Sequence, residues 1–210
     1  MCGLLGMLAA TGDVDKYVDA LERSLPCMRH RGPDAAGTWH DGDAAFGFNR
    51  LSIIDLEHSH QPLRWGPEDQ PDRYAMTFNG EIYNYVELRE ELKGLGYTFH
   101  TEGDGEPIVV GYHHWGKDVV NHLRGMFGIV IWDTHTKTMF AARDQFGIKP
   151  LYYATTDAGT VFASEMKCIL EMANEIGLEL NLDRQAIEHY VDLQYVPEPE
   201  SLHANIRRVE

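Results

Sequence analysis

Short apolar runs recur along this chain with gaps too small to hold a helix between several of them, and that spacing restricts its folding more than any other feature. Phe127 to Trp132 and Met139 to Ala142 flank the polar stretch Asp133 to Lys137, and Leu151 to Ala154 and Val161 to Ala163 flank a turn at Asp157 to Gly159. A parallel crossover needs a dozen or more residues, so these pairs are expected to be antiparallel hairpins. Cys2 to Leu8, Phe46 to Ile54 and Tyr74 to Phe78 read as further strands. Between them, Val14, Tyr17, Val18, Leu21, Leu25 and Met28 step by three and four residues, the period of an amphipathic helix. Helices are also expected over Val86 to Leu95, Glu106 to Trp115, Ser164 to Met172 and Leu182 to Tyr195, the last capped by Asp183. The expected class is α+β.

The chain opens Met1-Cys2-Gly3. Removal of Met1 would place a thiol and a free α-amine on one carbon, a nucleophile with its own base, since an α-amine titrates near ~7.7–8.0. The plainer use of Cys2 is as a small apolar residue opening a buried strand. The formal net charge of -15 argues against nucleic acid or an anionic membrane as partner. No run approaches the length of a membrane span, and the N-terminus lacks the layout of a signal peptide. Three cysteines, Cys2, Cys27 and Cys168, without metal-like spacing point to a reducing compartment, most simply the cytoplasm. Among 11 histidines, the pairs His58 with His60 and His113 with His114 raise a metal site only weakly, because adjacent helical residues do not share a face.

Four polar clusters interrupt the apolar elements: His30 to Asp34, Asn49 to Asp55, Asn79 to Asn84 and Thr101 to Glu106. Arg50 lies inside an apolar segment and needs an anionic partner, either an internal carboxylate or a ligand. Asn79 and Gly80 can aim two amide donors at one oxygen, or they can form an ordinary Asn-Gly turn. Asp104 precedes a helix and can serve as its cap or face a cation. Nucleophile, paired donors, arginine and aspartate together are the set needed to hold a free amino acid and attack its side-chain amide.

The motifs MCGLLG, HRGPD, RLSIID, NGEIYN, TEGDGE, RDQFGIKPLYY and SEMK, in this order from Met1 to Met172, resemble the glutaminase domain of glutamine-hydrolysing asparagine synthetases. HRGPD and RLSIID favour that branch over other class II glutamine amidotransferases. The resemblance implies the N-terminal-nucleophile hydrolase fold, an αββα sandwich of two mainly antiparallel sheets flanked by helices. It implies Cys2 as nucleophile, Asn79 and Gly80 as oxyanion donors, and Arg50, Leu51, Ile53, Ile54, Glu81 and Asp104 as the glutamine pocket. Arg31 is expected to border the nucleophile. The ammonia released would feed an ATP-dependent ligase that makes asparagine from aspartate. No cofactor is implied for the glutaminase step; ATP and magnesium belong to a synthetase domain, whose SGGxDS pyrophosphate loop is not among these residues. Residues 1–182 are therefore expected to form the glutaminase and 183–210 the start of the synthetase domain or a linker, with that domain as partner and a homodimer left open. The alternatives are the glutaminase of an amidotransferase with another acceptor, and a non-catalytic module of the same fold.

Overall fold

The computed structural model describes residues 2–55 and 60–210. Strand β1 (Gly3–Ala9) is buried along almost its whole length, which explains why it reads as a continuous apolar run without alternation. Its two faces serve different cores. Leu5, Met7 and Ala9 pack outward against helix α1 (Asp15–Ser24) and helix α4 (Met166–Glu171). Leu4 packs inward with Phe46, Ala75, Val130 and Trp132.

That inner core lies between two sheets. The first has six strands in the order β10-β8-β9-β1-β3-β2, with β2 (Ala35–His40), β3 (Ala44–Arg50), β8 (Tyr152–Thr156), β9 (Gly159–Ala163) and β10 (Arg207–Arg208). The second has four in the order β4-β5-β6-β7, with β4 (Leu63–Trp65), β5 (Tyr74–Ile82), β6 (Gly125–Asp133) and β7 (Thr138–Arg143). Every pairing is antiparallel. Helices α2 (Tyr85–Gly94) and α3 (Glu106–Trp115) cover the outer face of the second sheet, where Phe127, Ile129 and Ile131 of β6 meet Leu88, Leu92 and Ile108. Val130 and Trp132, alternating with them, face the other sheet. The layers are thus helix, sheet, sheet, helix, as expected, and the β6-β7 and β8-β9 hairpins fall where the short gaps placed them.

Several boundaries differ from the sequence reading, each for a local reason. The first helix stops at Ser24 and continues as a 3₁₀ turn over Leu25–Met28, where Pro26 cannot donate a backbone hydrogen bond. β3 ends at Arg50 rather than Ile54, and β1 starts at Gly3. β5 runs on through Asn79 and Gly80 to Ile82, so the Asn-Gly pair is not a turn. Strands β2, β4 and β10 were not anticipated. β4 has three residues and β10 two, too short to establish a period, and most of β2 is polar, glycine or alanine on an edge that is partly exposed. Helix α5 (Arg184–Leu193) begins as expected, with Asp183 Oδ1 accepting from the Gln185 and Ala186 amides at 2.9 and 3.1 Å. Residues beyond it return to the first sheet: β10 pairs with β8, and Ile206 is fully buried in the outer core.

Candidate active site

The pocket forms at one end of the sandwich, where the end of β3 and the start of β1 approach the open edge of β5. Cys2, Arg50, Leu51, Ile53, Ile54, Gly80, Glu81 and Asp104 line it, together with His60, Gln61, Leu63 and Gly105 among others. Eight of the nine expected site residues therefore share one cavity. Asn79, the ninth, is not part of the wall. Along β5 side chains alternate, and Phe78 and Ile82 belong to the helix-side core, so Asn79 is turned to the inter-sheet face. Its amide is fully buried, and neither Nδ2 nor Oδ1 has a hydrogen-bond partner among the described residues. Buried polar atoms are almost always satisfied, so this amide stands out among the described residues.

The backbone of β5 explains why Gly80 opens on the cavity. In an antiparallel strand alternate residues direct their N–H and C=O groups to the same side. The Phe78 amide donates to Gln61 Oε1 at 3.1 Å while Gln61 Nε2 donates to the Phe78 carbonyl at 2.7 Å, and the Ile82 amide donates to Asp104 Oδ2 at 3.0 Å. Phe78, Gly80 and Ile82 thus all point away from β6, while Tyr83 N donates back to the Arg124 carbonyl. Gly80, between two satisfied neighbours, presents its amide to the pocket. A Cβ at this position would lie 2.2 Å from the Met126 carbonyl oxygen, so only glycine fits.

The remaining motifs hold these groups in place. At Gly32, in the HRGPD turn, a Cβ would meet the Asn49 carbonyl at 2.2 Å, so the turn can lie directly against the end of β3. Asp34 Oδ2 accepts from the Ser52 amide at 2.8 Å and the Asp34 amide donates to the Arg50 carbonyl at 3.1 Å, pulling 51–55 out of the sheet and across the pocket. Asp55 there adopts a positive φ of 47°. Arg50, 6% exposed, donates from Nη2 to the Asp55 carbonyl at 2.9 Å. Asp104 does not cap α3, whose N-cap is Gly105; its carboxylate takes the Ile82 amide instead. Arg31 pairs with Glu165 of the SEMK motif and keeps Nη1 buried without a hydrogen-bond partner among the described residues. Gln61 was missed by sequence reading; an isolated glutamine in a loop carries no periodic signal.

Electrostatically the pocket is arranged around charge. The Cys2 thiol donates to the Leu51 carbonyl at 3.7 Å, and burial pushes it above the ordinary thiol range, an effect that Asp104 reinforces and Arg50 opposes. Burial also raises the Asp104 carboxyl, although the Ile82 amide works against that rise. A cation beside Asp104 and an anion beside Arg50 would both be welcome. Among the described residues no group of three or more His, Cys, Asp or Glu is placed to hold a metal. His113 and His114 instead form hydrogen bonds with the hydroxyls of Tyr74 and Tyr97 at 3.1 and 3.0 Å, and His58 lies outside the described residues. No described helix is long and apolar enough to cross a membrane.

A sandwich of this topology with a cysteine at its pocket defines a class. The chain matches the glutamine amidotransferase domain family over residues 1–210 and belongs to it. It is 55% identical over 221 residues to a Mycobacterium tuberculosis protein named putative asparagine synthetase (glutamine-hydrolyzing), covering all of this chain and 34% of that one. It is 42% identical over 215 residues to asparagine synthetase (glutamine-hydrolyzing) 1 of Bacillus subtilis, covering all of this chain and 32% of that one. The chain thus spans about a third of these relatives' length. A solved glutamine phosphoribosylpyrophosphate amidotransferase from B. subtilis superposes with a TM-score of 0.62 at 21% identity, over 82% of this chain and 44% of that one. That likeness bears on the fold.

Proposed function

We propose that this chain hydrolyses glutamine to glutamate and ammonia, with Cys2 as the nucleophile after removal of Met1. The observation that carries the reading is the convergence of Cys2, Arg50, Gly80 and Asp104 on one cavity. Arg50 takes the α-carboxylate of glutamine and Asp104 its α-ammonium, which leaves the side-chain carboxamide to reach toward Cys2. The Cys2 α-amine accepts the thiol proton, the sulfur attacks the carboxamide carbon, and the oxyanion forms against the Gly80 amide and the Asn79 side chain. The same amine returns the proton to the leaving nitrogen. Ammonia departs and a γ-glutamyl thioester remains, which water converts to glutamate and free thiol. Leu51, Ile53, Ile54 and Glu81 complete the pocket.

In a protein as long as the curated relatives, the ammonia would be consumed by a synthetase domain that joins it to aspartate activated with ATP and magnesium. The residues present here do not supply that site, so the expected activity of this chain is glutaminase alone, in the cytoplasm. Residues 1–182 are read as its catalytic unit and 183–210 as a connecting segment that packs back on that unit through β10 and Ile206. An ammonia-release assay on the Met1-trimmed protein, beside Cys2→Ala, tests the reading. Release by the first and not the second is expected; release from protein shown by mass spectrometry to retain Met1 would refute the free-amine mechanism.

A further inference from the structure

Gln61 lines the pocket with Gly80 and Asp104, yet none of the roles above uses it. Strand β4 pairs with β5 only from Leu63 opposite Met76 to Trp65 opposite Tyr74. Carried two residues further, that register sets Gln61 against Phe78. Pro62 lies between, and with no N–H to donate it suits the end of a ladder rather than its interior. Past Met76 the outer edge of β5 therefore has no neighbouring strand among the described residues, although its inner edge stays paired with β6 as far as Ile82.

A bare edge leaves backbone N–H and C=O groups in need of partners. At Phe78 the Gln61 side chain supplies both: Nε2 donates to the carbonyl at 2.7 Å and Oε1 accepts from the amide at 3.1 Å. A carboxamide can do this because it carries a donor and an acceptor on one carbon, the pair that a neighbouring strand would offer. Two residues beyond Gly80, Asp104 takes the Ile82 amide at 3.0 Å. Gly80 is thus bracketed by two side chains standing where a strand would, and its own amide is the open one between them. Asp104 is also needed for the α-ammonium. Gln61 has no such second task, since each of its polar atoms is bonded to Phe78.

We propose that Gln61 is a positioning residue for the glutamine hydrolysis described above, on which this inference rests, and that it fixes the edge of β5 so that the Gly80 amide meets the forming oxyanion. Gly80 has no side chain to anchor it, and a glycine backbone is the freest of any residue. An oxyanion donor works through its placement, and a displacement of about 1 Å can cost on the order of 10²-fold in rate. Gln61 acts through Phe78 rather than on the substrate. The two charged ends of the amino acid are held elsewhere, by Arg50 and Asp104, so the effect of Gln61 falls on the transition state and not on binding.

The test is steady-state ammonia release by the Met1-trimmed parent, Gln61→Met and Gln61→Glu, with circular dichroism to confirm that each is folded. Gln61→Met keeps the length of the side chain and removes both bonds. Its kcat is expected to fall about 10–100-fold with KM for glutamine within about twofold of the parent, since Arg50 and Asp104 are untouched. In Gln61→Glu a protonated carboxyl offers one donor and one acceptor and can remake both bonds, whereas a carboxylate only accepts and sets a charge against the Phe78 carbonyl. Its kcat divided by that of the parent should therefore rise as pH is lowered towards the carboxyl range. A kcat equal to the parent's in folded Gln61→Met, or a raised KM at unchanged kcat, would overturn the proposal. Should methionine prevent folding, the Gln61→Glu ratio decides in its place: a rise supports the proposal and a flat ratio overturns it. A parent protein that releases no ammonia would refute the glutaminase reading, and this proposal with it; a parent that does, beside an equally active Gln61→Met, would refute only the part assigned to Gln61.

Discussion

At Asp104 the pocket sets two demands against each other. The carboxylate must be charged to hold an ammonium, yet burial favours its neutral form. An acid whose folded pKa is raised loses its charge at a higher pH than usual, so glutamine binding should weaken early on acidification. KM for ammonia release is expected to rise as pH falls through the acid range in the parent protein, while Asp104→Asn should show a high KM with little pH dependence. The same measurement on Arg50→Met should give a KM raised by roughly 10–100-fold, the value of one charge-assisted contact of about 1.5–3 kcal/mol. Circular dichroism would confirm that loss of the Arg50 bond to the Asp55 carbonyl has not unfolded the loop. Arg50 could be named from sequence because a charge in an apolar segment is conspicuous, whereas Asp104 lies in the polar turn TEGDGE and was singled out through the family resemblance. Gln61 was not, since its role lies in two backbone groups of β5 that it satisfies.

Among the elements, β5 does most to organise the site, and it is also where reading the sequence was least secure. Its apolar run continues into Asn79-Gly80, a dipeptide that signals a turn in isolation, and only the pairing of Gly80 with Phe127 shows that the strand persists. The opposite error arose at β3, whose apolar sequence outlasts its hydrogen bonds because Asp34 captures the Ser52 amide. Both misreadings concern competition between local pattern and a distant partner, which a single segment does not encode. Long periodic elements and side-chain caps were legible, as α3 and Asp183 illustrate. Gly80→Ala is expected to cost about 1–3 kcal/mol in urea denaturation, the usual range for forced overpacking, because the Met126 carbonyl and the Phe127 Cα that it meets are backbone and cannot rotate away. Asp183→Ala should cost about 1 kcal/mol, with ammonia release unchanged, since that cap serves α5 and is not part of the pocket.

For the whole molecule, hairpin spacing indicated antiparallel sheets and the family resemblance implied the order of layers, but the acid response of the sandwich depends on contacts that only the fold creates. Asp133 closes β6, receiving Arg73 Nη2 at 2.7 Å and the His135 amide at 2.9 Å. Burial alone would raise its carboxyl, but the Arg73 guanidinium and the Thr136 and His135 amides outweigh it and hold the pKa below the ordinary value. Glu165 is likewise lowered, its burial overcome by Lys167, Arg31 and His30. For an acid of depressed folded pKa the stabilisation is complete above the unfolded value, near ~4, and disappears as pH falls through the folded one. Asp104 has the reverse sign: its folded pKa is raised, so protonation there favours the folded state, and this occurs at higher pH than the other two. Stability measured by urea unfolding should therefore carry a loss through the histidine range, because burial and the Arg73 charge hold the His113 pKa below its ordinary value, then a partial gain as Asp104 protonates, and a further fall below about 4. Asp133→Asn should be less stable than the parent at neutral pH and converge on it in acid. Asp104→Asn should lose the gain from that protonation and keep the other two limbs. Parallel curves for the parent and Asp133→Asn across that range would show that the Arg73 pair does not govern the acid limb.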